Sequence, residues 1–83
     1  MEEMIYEFSD PLRGTDGTLY QARAYGRPRS DGTWEGWLSF TSGGGATLKT
    51  DRETTQSSAQ HVLYWATGLE PLYLEGALER ALR

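Results

Sequence analysis

The first half of the chain alternates apolar and polar residues in short runs, a pattern that predicts β-strands. Residues 4–8 form the first run and residues 18–26 the second. Residues 33–41, rich in threonine and aromatic side chains, form the third. Residues 46–50 have the length of a short edge strand. We therefore expect an antiparallel sheet of three or four strands.

Residues 27–32 connect the second and third strands and contain proline and an Asp-Gly pair, both turn signals. A Gly26–Thr33 pair would close this loop over six residues and set the register. The predicted core face then holds Leu19, Gln21, Arg23, Tyr25, Trp34, Gly36, Leu38 and Phe40. The opposite face holds Tyr20, Ala22, Ala24, Glu35, Trp37 and Ser39. That second face is small and flat apart from one large ring, which suits a packed helix or a partner.

From residue 57 onward the apolar spacing becomes that of helices. Ser57 is the predicted N-cap, with Gln60 as its capping-box partner. Gly68 and Leu69 match a Schellman ending, and Pro71 matches the first position of a second helix. The first apolar stripe consists of Ala59, Val62, Leu63 and Ala66. The second consists of Leu74, Ala77, Leu78, Ala81 and Leu82.

The order of these elements predicts the fold class. Strands come first and helices after, which favours an α+β domain with two C-terminal helices packed on one face of the sheet. A chain of 83 residues makes a single small domain, residues 1–83. It has no cysteine to cross-link it, so ten aromatic residues and self-association are the remaining means of stabilising a small core.

Charge and hydropathy limit the classes of partner. The net charge is −4, which disfavours non-specific binding to nucleic acid. The basic residues concentrate in the middle segment, so a local basic patch stays open. No apolar run approaches the length of a membrane span, and the acidic start lacks a signal peptide's features. We expect a cytoplasmic protein with no membrane partner.

The sequence contains few groups suited to catalysis. His61 is the only histidine, and without cysteine a zinc site is not expected. Neither a P-loop nor a Gly-x-Ser-x-Gly nucleophile elbow is present. We predict no cofactor, no metal and no catalytic residue, and an enzyme is the least favoured of the functions considered.

A polar lead-in to the first helix is a candidate binding site. Free backbone N–H groups at a helix start, hydroxyls and a guanidinium can together hold a phosphate or carboxylate. The candidate residues are Arg52, Thr54, Thr55, Gln56 and Ser57. The alternative is that one hydroxyl caps the helix and the others meet water.

The aromatic residues exceed what one small core readily buries, and exposed aromatic patches mark interaction surfaces. The candidate interface residues are Tyr20, Trp37, Tyr64, Trp65 and Tyr73. Two alternatives stay open for them: a wide helix face packed on the sheet, and an aromatic sheet face that stacks nucleic-acid bases.

Three stretches carry a resemblance: "RETTQ" at 52–56, "YWATGLEPLYLEGAL" at 64–78 and "DGTWEGWLSF" at 31–40. With these the chain resembles a family of small bacterial proteins to which no activity is attached, so the resemblance implies no catalytic residues. At the level of fold alone it is also similar to HicB-type antitoxins, which begin with a three-stranded sheet followed by a helix. It shows neither their glycine-rich strand pattern nor their DNA-binding tail.

These observations favour a non-enzymatic protein-interaction or regulatory module that self-associates, for example as a homodimer. The alternative function is binding of a small anion, nucleotide or nucleic acid through the helix start at residues 52–58 and the aromatic sheet face.

Overall fold

The computed structural model describes residues 1–83 and contains six strands followed by two helices. Their bounds are β1 Glu3–Glu7, β2 Leu12–Arg13, β3 Leu19–Pro28, β4 Trp34–Ser42, β5 Thr47–Lys49, β6 Thr54–Gln56, α1 Ala59–Thr67 and α2 Pro71–Leu82. The α+β class, the antiparallel sheet and the two C-terminal helices are confirmed. The strand count of three or four is wrong, since there are six.

The six strands occupy four positions in the sheet, because each edge is interrupted. β3 and β4 form the central antiparallel pair. β1 and β2 follow one another along β3, and β5 and β6 follow one another along β4. Pro11, which has no N–H to donate, lies in the first interruption. The short edge strand predicted at residues 46–50 corresponds to β5, whereas β2 and β6, of two and three residues, are too short for an alternation pattern to reveal them.

The β3–β4 hairpin is tighter than the sequence suggested. Arg29 N donates to Thr33 O at 2.7 Å, and Gly32 N donates to Arg29 O at 3.1 Å. Gly32 has φ 88°, the left-handed conformation that glycine adopts freely. The loop therefore closes over Ser30 to Gly32, and Gly26 pairs with Gly36 instead of Thr33. The predicted register is wrong by three residues.

An odd register shift exchanges the side chains that share a face. In the structure Ala22 and Ala24 of β3 lie beside Phe40 and Leu38 of β4, and all four are fully buried. The predicted core face is therefore right for β4 and wrong for β3. Of the face predicted to suit a helix, the β3 residues Tyr20, Ala22 and Ala24 are covered by the helices, whereas its β4 residues Glu35, Trp37 and Ser39 lie on the other side of the sheet. The other face, which we call the open face, carries the alternate residues Gln21, Arg23, Tyr25, Arg27, Glu35, Trp37 and Ser39.

The helix boundaries match the prediction only in part. Ser58, not Ser57, is the N-cap of α1, and its side chain accepts a hydrogen bond from His61 N. Gly68 has φ −91°, so the left-handed Schellman ending does not form. Pro71 is the first residue of α2, as predicted. Neither helix has both the length and the apolar character required to cross a membrane.

Both helices lie on the same face of the sheet. Val62 and Ala66 of α1 are buried, as are Leu74, Ala77 and Leu78 of α2. A Cβ atom built on Gly36 would lie 3.0 Å from Val62 Cγ1 and 3.0 Å from Thr54 Cγ2. The missing side chain at Gly36 therefore lets α1 approach the sheet closely.

Candidate functional site

The stretch "RETTQ" is ordered along a strand and does not form an irregular lead-in. Thr54 pairs with Gly36 on the helix-covered face, and Thr55 pairs with Glu35 on the open face. Gln56 Nε2 donates to Thr54 Oγ1 at 2.7 Å. Because successive residues of a strand point to opposite faces, the structure does not bring Thr54 and Thr55 together at one anion site.

The side chains at the start of α1 form hydrogen bonds with one another and with the helix backbone. Ser58 Oγ accepts from His61 N at 3.2 Å and lies 2.9 Å from His61 Nδ1. Ser57 Oγ lies 3.1 Å from the same ring nitrogen. The two serines and His61 thus form a local capping cluster. Arg52 is exposed and lies away from this cluster, in a groove beside Lys49, Thr50 and Asp51.

Two of the five candidate interface aromatics are buried within the chain. Tyr20 is 6 % exposed and its hydroxyl donates to Asp16 Oδ2 at 2.7 Å. This hydrogen bond lowers the pKa of Asp16 and raises the pKa of Tyr20. Trp37 is 7 % exposed. Trp65 is half-buried against the core.

Trp37 lies on the open face under a cover of side chains. Its ring stacks on Tyr25 with 6.2 Å between centroids and 14° between planes, and the Arg27 guanidinium lies 5.3 Å from its centroid. Arg27 is itself held by Glu35 at 2.6 Å, and Arg23 pairs with Glu7 at 3.1 Å. The ring of Trp37 is therefore already covered and offers little surface on which a nucleotide base could stack.

A second polar cluster ties the sheet edge to α2. Glu53, whose side chain is 10 % exposed, accepts at Oε1 from Tyr73 Oη at 2.5 Å and from Arg80 Nη2 at 2.7 Å. Burial acts to raise the pKa of Glu53, but the two hydrogen bonds together with the positive charge of Arg80 outweigh it and hold the pKa below its ordinary value. Burial and the bond to Glu53 raise the pKa of Tyr73, and the same carboxylate raises the pKa of Arg80. No local pattern predicts this cluster, because Tyr73 and Arg80 lie 20 and 27 residues from Glu53 along the chain.

The apolar surface that remains free lies at the connection between the helices. Leu69, Leu72 and Tyr73 border one groove there together with Gly68. Leu72 is 77 % exposed and Tyr73 is 38 % exposed. Tyr64 is 59 % exposed and stands one helical turn before Gly68 on α1. We call Tyr64, Leu69, Leu72 and Tyr73 the turn patch.

On its other side the same connection borders a cleft of about 170 Å³, which is lined by apolar residues together with Ser9, Asp10 and Thr67. Its apolar lining residues are Tyr6, Phe8, Leu12, Leu69, Pro71 and Leu74. Leu69 therefore lies between the exposed side chain of Leu72 and this cleft. Sequence reasoning missed Leu72, although its position outside the buried stripe of α2 was a usable signal.

The turn patch, the open face and the groove beside Arg52 are thus the surfaces that could carry a function. No three His, Asp or Glu side chains come together as a metal ion would require. None of the known protein-family models, curated proteins or solved structures matches this chain.

Proposed function

We propose that the protein is a non-enzymatic interaction module that self-associates through the turn patch. The proposal rests on Leu72, whose side chain is 77 % exposed. It lies beside a partly apolar cleft that no side chain of the same chain fills. Covering apolar surface is worth about 25 cal/mol per Å². Burying one leucine side chain contributes about 1.5–3 kcal/mol.

A second copy of the chain is the occupant that we propose. In a two-fold symmetric dimer each surface contacts its counterpart reciprocally. The exposed Leu72 and the cleft lie on either side of Leu69, so Leu72 of each copy has a hollow to enter on the other. An 83-residue domain without cysteine also gains stability from such an interface.

Charge sets the condition under which this dimer forms. Each copy carries a net charge of −4, and the exposed side chains of Asp10 and Glu70 lie at the cleft and at the groove. Like charges across an interface oppose association, and salt screens them. Dimerisation should therefore strengthen as the salt concentration rises. We place the module in the cytoplasm, which the absence of cysteine supports.

Sedimentation equilibrium of wild type, Leu72→Asp and Leu19→Asp tests the proposal. Leu19, 47 % exposed at the start of β3, provides a matched change outside the patch. An aspartate in the first turn of α2 suits the helix dipole, so Leu72→Asp should stay folded by circular dichroism.

Wild type and Leu19→Asp should dimerise with the same affinity, and Leu72→Asp should sediment as a monomer. Folded monomers for all three proteins at every concentration would exclude self-association. Equal dimerisation of all three would place the interface elsewhere.

A further inference from the structure

The basic side chains that make no ion pair are concentrated in one groove. Three of the eight lysines and arginines pair with acids: Arg23, Arg27 and Arg80. Of the remaining five, Lys49, Arg52 and Arg83 line the same groove. This groove lies where the edge of the sheet is interrupted between β5 and β6, beside the end of α2.

The backbone at this interruption also presents free donors. Thr50 N donates to Leu38 O and Glu53 N donates to Gly36 O, so both ends of the interruption stay attached to β4. The N–H groups of Asp51 and Arg52 between them donate to no other group of the protein. Free N–H groups beside guanidinium and ammonium groups are the donors that hold phosphates and carboxylates.

The balance of charge in the groove is positive, although the protein as a whole is acidic. Glu53 is occupied by Tyr73 and Arg80, so Asp51 is the one acidic side chain of the lining without a basic partner. It stands against the three unpaired basic side chains. Within this lining a negatively charged group would meet three unpaired basic side chains and one unpaired carboxylate.

We propose that the groove formed by Lys49, Arg52 and Arg83 binds a phosphate or carboxylate group. The site goes beyond the self-association proposed above, because it adjoins the C-terminal end of α2 whereas the turn patch adjoins the N-terminal end. The two surfaces meet only through Glu53, which lines the groove and accepts a hydrogen bond from Tyr73 of the turn patch; Leu72 lines no part of the groove. Of the residues predicted from the sequence to bind an anion, only Arg52 belongs to this site. The site lies at the interruption in the sheet edge and not at the start of α1.

The test is a titration of ¹⁵N-labelled protein with sodium phosphate, and separately with sodium succinate, at constant ionic strength. Saturable shifts of the Asp51 and Arg52 amide signals are expected with at least one of the two anions, and the better anion gives the ligand class. The double variant Lys49→Gln, Arg52→Gln should bind the anion about tenfold more weakly or worse, and a tenfold change corresponds to about 1.4 kcal/mol of binding free energy. The control Arg13→Gln with Arg29→Gln removes two basic side chains that also lack an ion pair and should leave the affinity unchanged.

A gain of affinity provides a second criterion. Asp51→Asn removes the opposing charge, so its affinity for the anion should exceed that of wild type severalfold. Leu72→Asp should bind the anion as wild type does, which separates this site from the dimer. The proposal is overturned by shifts that never saturate, by shifts centred on the amides of Ser58 to His61, or by equal losses in the two double variants.

Discussion

Replacing Gly36 by alanine is expected to loosen the contact between α1 and the sheet. The added Cβ would lie 3.0 Å from Val62 Cγ1 and 3.0 Å from Thr54 Cγ2, whereas carbon atoms in favourable contact are about 3.5–4.0 Å apart. Relieving two such contacts in a packed core costs about 1–3 kcal/mol. Alanine recovers about 0.5–1 kcal/mol because it loses less backbone entropy than glycine on folding. We therefore expect a net destabilisation of about 0–2.5 kcal/mol, centred near about 1 kcal/mol.

Urea unfolding followed by tryptophan fluorescence measures this change, and a thermal scan should show a lower Tm by about 4–8 °C for each kcal/mol. Gly43→Ala is the matched control, since a Cβ there meets nothing within 4 Å. It should leave the stability unchanged or slightly raised.

A double-mutant cycle with Val62→Ala identifies the cause. Removing Val62 Cγ1 gives the new methyl group room, so Gly36→Ala should cost about 0.5–2 kcal/mol less in that background. If Gly36→Ala is as stable as wild type and shows no coupling to Val62→Ala, then α1 does not lie over Gly36 and the reasoning is refuted.

Three further predictions concern the polar cluster, the sheet faces and the dimer. Glu53→Gln should lower the free energy of unfolding by about 1–2 kcal/mol near neutral pH, because the largely buried carboxylate loses the charge that strengthens its two hydrogen bonds. The pKa of Glu53 is lowered from 4.5, so this advantage of wild type is fully present well above pH 4.5 and is lost as the pH falls through the lower folded-state value; an advantage that does not change with pH in the acidic range would contradict the assignment. Ala24→Asp should lower the free energy of unfolding by more than about 3 kcal/mol, since it buries an unpaired charge. Arg23→Ala on the open face should lower it by less than about 1 kcal/mol. If denaturant unfolding gives the reverse order, the helices cover the other face. Raising the salt concentration from 50 mM to 500 mM should tighten the dimer in sedimentation, and a weaker dimer would indicate that opposite charges hold it together.

The sequence predicted those parts of the fold that depend on long, regular patterns. The 3.6-residue spacing located both helices, and Pro71 marked the first residue of α2 correctly. The cap of α1 was misplaced by one residue because Ser57 and Ser58 are both suitable N-caps. Only the hydrogen bond of Ser58 to His61 N distinguishes them.

The register of the β3–β4 hairpin could not be predicted because it depends on where the loop closes. Both a six-residue and a three-residue loop are compatible with Asp31 and Gly32. The structure pairs Arg29 with Thr33, which places Pro28 at a position whose N–H would point away from β4. Its missing N–H therefore costs no hydrogen bond in the central pair, and Pro28 is compatible with the strand and does not end it.

The candidate surfaces depended on tertiary structure more than on sequence. Tyr20 and Trp37 appeared available for a partner, yet each is covered by neighbours several residues away, Asp16 and Tyr25. Arg52 became part of a groove only because the sheet edge is interrupted beside the end of α2. Patterns along the chain indicate which side chains are apolar or charged, but long-range packing decides which of them remain exposed.

The arrangement of the helices over Ala22, Ala24, Leu38 and Phe40 underlies every surface assigned above. Nuclear Overhauser effects from the Val62 and Leu78 methyl groups measure it most directly. They should connect Val62 to Gly36 and Thr54, and Leu78 to the buried side chains of the helix-covered face, with none to the ring of Trp37. Contacts from these methyl groups to Trp37 or Tyr25 would place the helices on the other face of the sheet and contradict the account.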